Sequence, residues 1–130
     1  MAIYLSVDLG TTGCRSILFD SALNQLAESY EEYGLITPKE GYVEQDAELW
    51  WELTLKTAKA AIEKSGADPK EIKGISISSQ GLTLVPVDQN LTPFCNAISW
   101  LDRRTVKQAE LLCADIGEEK MYSLCGGRAN

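Results

Sequence analysis

The opening of the chain constrains its fold most. Ile3, Leu5, Val7 and Leu9 alternate with Tyr4, Ser6 and Asp8, the period of a strand with one buried face. The strand breaks into Asp8-Leu9-Gly10-Thr11-Thr12-Gly13, a turn rich in glycine and hydroxyls. Residues 15–20 resume as a second strand, with Ile17, Leu18 and Phe19 apolar. Ser21-Ala22-Leu23-Asn24 reads as a hairpin connection to a third strand over residues 26–33. Three strands joined by short turns predict an antiparallel meander.

After an irregular stretch, Thr37-Pro38-Lys39-Glu40-Gly41-Tyr42-Val43-Glu44-Gln45, Asp46 is placed to cap a helix with Glu48 in its first turn. That helix is expected over 47–65, stopping at Gly66, with Trp50, Leu53, Thr57 and Ala61 on its buried face. Asp68-Pro69 marks a second cap-like turn. Ile75 and Ile77 alternate with serines in a fourth strand over 74–79, and residues 82–88 predict a fifth. Pro86 cannot donate to a ladder, so the fifth strand should lie at an edge or carry a bulge. Asp88-Gln89-Asn90-Leu91 reads as a turn. A final helix is expected over 102–116, with Val106, Ala109, Cys113 and Ile116 at helical spacing and Gly117 beyond it. The order β-β-β-α-β-β-α predicts an α/β fold with a mixed rather than a purely parallel sheet.

Composition narrows the chemistry. With 130 residues the chain is long enough for one domain with a core and too short for two. A net charge of −7 argues against a nucleic-acid surface but not against a nucleotide, which backbone N–H groups and a metal ion can hold. The absence of histidine removes His-based acid–base catalysis, Ser-His-Asp triads and most zinc sites. Cys14, Cys95, Cys113 and Cys125 have no metal-ligand spacing and read as reduced, mostly buried small side chains. No apolar run approaches the roughly 20 residues of a membrane helix, and the N-terminus lacks a basic leader, so a cytoplasmic location is expected.

The Asp8–Thr12 turn has a direct chemical reading. Asp8, at the end of the first strand, is suited to holding Mg²⁺, directly or through water. Gly10 permits a sharp turn and close approach of a ligand. Successive N–H groups make an anion-binding concavity, to which the Thr11 and Thr12 hydroxyls add donors and toward which Arg15 could reach. The chain has neither a Walker A loop nor G-x-G-x-x-G. A tight hairpin with threonines chosen for strand propensity is the competing account.

A second cluster follows. Ile75-Ser76-Ile77-Ser78-Ser79-Gln80-Gly81 ends a strand in polar residues, and Ala97-Ile98-Ser99-Trp100-Leu101-Asp102-Arg103-Arg104 sets a tryptophan beside a charged helix start. A polyol needs such a surface: its C–H face packs on the ring while its hydroxyls find fixed polar partners. Trp100 reads equally as a core anchor, and Asp102 as a helix N-cap, a role it could combine with binding.

Taken together, residues 8–15, Gly41-Tyr42-Val43-Glu44-Gln45-Asp46 with Trp50, residues 75–80 and Trp100-Leu101-Asp102-Arg103-Arg104 resemble the start of an FGGY-family carbohydrate kinase. The element order is similar to the ribonuclease-H-like half-domain of the actin, Hsp70 and sugar kinase superfamily. The resemblance implies that Asp8, Gly10, Thr11, Thr12 and Arg15 face the phosphates of ATP and its Mg²⁺. It also implies that Gln80, Gly81, Leu82, Trp100 and Asp102 lie along the pocket of a small sugar or polyol. After the equivalent of Gln80, glycerol kinases carry Arg-Glu and xylulose kinases Met-His-Gly. Here Gly81-Leu82-Thr83 stands instead, which argues against glycerol and weakens the case for xylulose.

Phosphoryl transfer also needs a base or orienting group for the acceptor hydroxyl. In the resembled family the catalytic aspartate, a second phosphate loop and the adenosine site come later in the chain. Residues 1–130 are therefore expected to be the N-terminal part of the first kinase domain, without a second domain or an obvious end at 125–130, and inactive alone. A homodimer is the expectation for the full-length protein. The competing readings are a non-sugar ATPase or nucleotide switch of the same superfamily, and a binding domain that has lost the chemistry.

Overall fold

The structure, a computed structural model, describes residues 2–127. Its frame is a mixed four-stranded sheet in the order β3-β2-β1-β5. Strands β1 (Ile3–Leu9), β2 (Gly13–Asp20) and β3 (Gln25–Glu32) form the expected antiparallel meander, and β5 (Ile72–Ser79) joins β1 in parallel. Ile3, Leu5 and Val7 are buried on one face of β1 while Tyr4 and Asp8 are exposed, as the alternation requires. A two-residue pair, β4 (Glu44–Gln45) and β6 (Ala97–Ile98), stands apart.

Helix α1 (Ala47–Ser65) covers β1–β3. Asp46 accepts hydrogen bonds from the Glu48 and Leu49 amides, and Gly66 ends the helix at φ 66°, the left-handed conformation glycine adopts at little cost. Trp50, Leu53, Thr57 and Ala61 are its buried residues, meeting Leu5, Val7, Cys14 and Leu18 in the core. Burying a leucine such as Leu18 fully contributes about 2 kcal/mol. One polar contact is built into this interface. Thr57 donates to the Leu53 carbonyl at 2.9 Å, so Ser16, 2.8 Å from the Thr57 hydroxyl, is the donor of that pair.

Two turns share one construction. Asp20 Oδ1 accepts from the Ala22 and Asn24 amides, and Asp88 Oδ1 accepts from those of Asn90 and Thr92. In each, a leucine takes the left-handed conformation, Leu23 at φ 64° and Leu91 at φ 64°. A third leucine, Leu82, does so at φ 58°.

The second half departs from expectation in three places. Residues 82–88 form no strand; they make only isolated bridges, Leu84 to Ile98 and Val87 to Pro93. Pro86 lacks an N–H and Asp88 turns the chain back, so no ladder can extend. The last expected helix ends at Ile116 with Gly117 beyond it as expected, but α2 (Val106–Ile116) starts four residues later than 102, and after Gly117 at φ 89° a further helix, α3 (Glu118–Cys125), follows. The cysteines are free, but only Cys14 is buried, while Cys95 and Cys125 are exposed. Residues 128–130, where no domain end was evident, lie outside the described residues.

Candidate functional site

Between β1 and β2 the turn at Gly10, Thr11 and Thr12 is held from behind by its oxygens. The Leu9 carbonyl accepts from the Gln80 amide at 2.9 Å and the Thr12 carbonyl from the Tyr33 amide at 3.1 Å. The Gly10 carbonyl accepts from the Tyr33 hydroxyl, and the Thr11 carbonyl from Gln45 Nε2 at 2.8 Å. Burial, with the charge of Asp8 nearby a lesser cause, pushes the Tyr33 hydroxyl up to about 12, so it stays a donor. The Gly10 amide closes the turn on the Gly13 carbonyl at 3.0 Å. Among the described residues the Thr11 and Thr12 amides donate to nothing, so both are left for an outside acceptor such as a phosphate oxygen.

Asp8 is exposed and lies opposite Arg15 on β2 and Ser78 on β5. A hard divalent ion with retained waters and phosphate oxygens needs only one or two carboxylates, so Asp8 fits as a protein ligand to Mg²⁺. Arg15 lies toward β3, 3.9 Å from Glu28 and with its guanidinium 5.2 Å from the Tyr30 ring centre. Glycine matters in this turn at a position the sequence reading did not select. A Cβ on Gly10 would meet the Gly13 carbonyl at an ordinary 3.4 Å, whereas one on Gly13 would run into the Tyr30 ring, which would have to swing outward to make room.

The second cluster reaches the same turn. Trp100 is 51% exposed, not a core anchor, and its Nε1 donates to the Thr11 hydroxyl at 3.0 Å. Gln80 Nε2 donates to Gln45 Oε1 at 2.9 Å, and Gln45 in turn donates to the Thr11 carbonyl. Thr11 therefore meets both halves of the site. Leu82, Trp100 and Asp102 line one cleft of about 290 Å³ with Leu84, Ile98 and Arg104; Gln80 and Gly81 are not among its lining residues.

Asp102 is not the N-cap of α2, which begins at Val106 after Thr105. Its side chain is only 2% exposed. Oδ1 accepts from the Arg104 amide and Nε, both at 2.8 Å; Oδ2 accepts from the Val43 amide at 2.7 Å and Arg104 Nη2 at 2.8 Å. Those bonds occupy the roughly four lone-pair sites of a carboxylate. Arg104 also pairs with Glu44 at 2.6 Å and lies 4.0 Å from the Tyr42 ring centre. The Arg104 guanidinium, assisted by the Arg104 and Val43 amides, holds Asp102 down at about 2. Arg104, and then Asn96, likewise lower Glu44. This cluster ties residues 42–45 to 96–104 and fixes the cleft wall.

Sequence reasoning thus found Asp8, Thr11, Thr12 and Trp100 in one neighbourhood and assigned no role to Tyr33, Gln45 or Glu44. The signal for Glu44 and Gln45 was the polar run Gly41–Asp46 in otherwise irregular chain; Tyr33 carried none. Among the described residues, no helix is long and apolar enough to cross a membrane and no group of three metal-binding side chains occurs.

Comparison with known proteins places these features in a common frame. The chain is 41% identical over 124 residues to a glycerol kinase of Roseobacter denitrificans, covering 95% of this chain and 25% of that protein. It is 39% identical over 124 residues to glycerol kinase 2 of Thermotoga maritima, covering 95% and 24%. The chain thus spans about a quarter of the length of the curated relatives it matches. Among solved structures, a xylulose kinase of Brucella ovis superposes with a TM-score of 0.86 at 28% identity, over 98% of this chain and 26% of that one. The glycerol kinase of Plasmodium falciparum with ADP gives 0.89 at 23% identity, over 100% and 26%. The mixed sheet and its helices are thus the actin- and Hsp70-like fold of sugar kinases. With residues 3–129 matching the N-terminal domain model of the FGGY family of carbohydrate kinases, the chain belongs to that family.

Proposed function

We propose that this chain supplies the first phosphate-binding turn and one wall of the acceptor pocket of an ATP-dependent carbohydrate kinase. The observation that carries the reading is the double contact at Thr11: Trp100 Nε1 on its hydroxyl and Gln45, backed by Gln80, on its carbonyl. A turn built only to bind nucleotide has no need of a half-exposed tryptophan hydrogen-bonded into it.

In this reading the Thr11 and Thr12 amides and hydroxyls bind phosphate oxygens, with Gly10 allowing close approach. Asp8 holds Mg²⁺, which neutralises phosphate charge during transfer. Arg15 turns to the phosphates from a weak surface pairing with Glu28, a rearrangement costing on the order of 1 kcal/mol or less. Trp100 and Leu82 offer apolar surface to the acceptor's C–H face, and Gln80 and Gly81 lie beside its hydroxyls. Asp102 acts on the acceptor through the wall it holds. Residues 1–130 are the N-terminal part of the first kinase domain, working in the cytoplasm of the cell within a full-length homodimer. Alone they lack the base and nucleoside site that transfer requires, so they turn over no acceptor.

The acceptor is a small sugar or polyol. Relatives named glycerol kinases favour glycerol, while Gly81-Leu82 leaves the cleft without the charged pair the glycerol reading needs. The test is ADP release by the full-length protein with Mg-ATP and a panel including glycerol, xylulose and gluconate. Acceptor-dependent release supports the kinase. Equal release with and without acceptor would replace it with the nucleotide-switch reading.

A further inference from the structure

The amides of Gln45 and Gln80 form a chain whose direction is chemically fixed. The Thr11 carbonyl can only accept, so the Gln45 atom 2.8 Å from it must be the NH₂ group. Gln45 Oε1 must then face Gln80, and the Gln80 atom 2.9 Å away must also be NH₂. Gln80 is left with its oxygen at the far end, and that oxygen is buried with no partner among the described residues. A buried acceptor left without a donor is destabilising, so its presence beside the Thr11 turn calls for one.

We propose that Gln45 is a positioning residue: it locks the Gln80 amide with its oxygen as the unpaired acceptor, and so readies that oxygen, between the cleft and the Thr11 turn rather than on the cleft lining, for an O–H donor from the sugar or polyol. The inference rests on the kinase reading above and deepens it. Hydrogen bonds in a chain polarise one another, so a hydroxyl donated to Gln80 strengthens the bond from Gln45 to the Thr11 carbonyl. That carbonyl belongs to the same peptide unit as the Thr12 N–H, one of the two donors left for phosphate. Acceptor and phosphate donor are thereby coupled through two side-chain amides. Gln45 is suited to the part because it is 1% exposed and sits on β4 next to Asp46, the cap of α1. Gln80 is tied to the turn a second time by its own amide on the Leu9 carbonyl.

The experiment compares Gln45→Leu and Gln45→Glu with the unaltered residue in the full-length protein. Gln45→Leu should raise the acceptor KM about tenfold and abolish the tightening of an ATP analogue by acceptor. A protonated glutamate can donate to Thr11 and accept from Gln80, whereas its carboxylate cannot donate. Gln45→Glu should therefore regain acceptor affinity as the pH is lowered, relative to the unaltered protein. A lowered Tm with both KM values within twofold and no change in the pH profile would mark Gln45 as structural only and overturn the proposal. A separate arm needs no turnover: exchange of the Gln80 side-chain NH₂ protons, followed by NMR, should quicken in Gln45→Leu. Unchanged exchange overturns the relay even if the kinase stands. Quickened exchange in a protein without acceptor-dependent ADP release supports the lock and rejects the kinase reading instead.

Discussion

Residues 3–66 and residues 74–127 are held together by different forces. In the first region Ile3, Leu5, Val7, Cys14, Leu18, Tyr33, Trp50, Leu53 and Ala61 close a core between sheet and helix. In the second, Ala97 is the buried hydrophobic residue among those described, and Ile75, Ile77, Leu84, Phe94, Leu111 and Leu124 are exposed. What fixes the second region to the first is backbone pairing, β5 on β1 and β6 on β4, together with the Asp102–Arg104–Glu44 cluster and the hydrogen bonds to Thr11. The lesson is a division of labour. Apolar burial makes the platform, and polar contacts place the acceptor wall on it.

This contrast can be broken by graded substitutions in the 130-residue chain, each read by urea unfolding. Leu18→Ala removes a fully buried side chain and should cost about 4 kcal/mol. Asp102→Ala leaves the Arg104 guanidinium to Glu44 alone and the Val43 amide without its acceptor, and should cost about 2 kcal/mol, mostly as loosening of residues 96–104. Asp46→Ala removes the cap of α1 and should cost about 1 kcal/mol. Leu111→Ser, at a position 71% exposed, should change stability by less than about 0.5 kcal/mol. A Leu111 variant as damaging as the Leu18 one would show that the second region has an apolar core of its own.

Acid separates the regions more finely. The folded pKa of Asp102, about 2, lies below its ordinary 3.8, so its contribution is complete above that ordinary value and vanishes as pH falls through about 2. Glu44 is lowered as well and acts in the same direction. Between about pH 4 and 2 the environment of Trp100 should change before that of α1, followed by NMR of the Trp100 indole N–H against those of Trp50 and Trp51 on α1. Coincident transitions would mean that the cluster is not what fixes the wall.

What the sequence made legible follows from how local each cause is. The alternation in β1 and the Asp46 and Gly66 caps of α1 act within a few residues, and they are where expected. The fifth strand was misread because Pro86 and the turn at Asp88 stop residues 82–88 from extending the single bridge that Leu84 makes to Ile98 on β6. Asp102 looked like a cap because acidic residues before helices commonly are; it instead takes Arg104, two residues on, and the amide of Val43, and the tie to Val43 and Glu44 becomes visible only once distant segments meet. The same distance hid Gln45 and Tyr33, whose acceptors at Thr11 and Gly10 lie 34 and 23 residues away. Whether glycine is needed at Gly10 or Gly13 depends on where Tyr30 lands across the sheet.

The left-handed leucines carry a practical consequence for anyone wishing to harden this protein. Leu23 and Leu91 are 77% and 79% exposed, so little burial offsets their backbone strain. Asparagine tolerates that conformation better, and Leu23→Asn and Leu91→Asn should each raise stability by about 0.5 kcal/mol in thermal melts. Leu82 has the same backbone and is 87% exposed, yet it borders the cleft beside Trp100. Relieving it should bring the same gain and, if the proposed kinase reading holds, shift the acceptor preference of the full-length protein, unlike the other two. Two of the three strained turns are spare stability; the third is lent to selectivity.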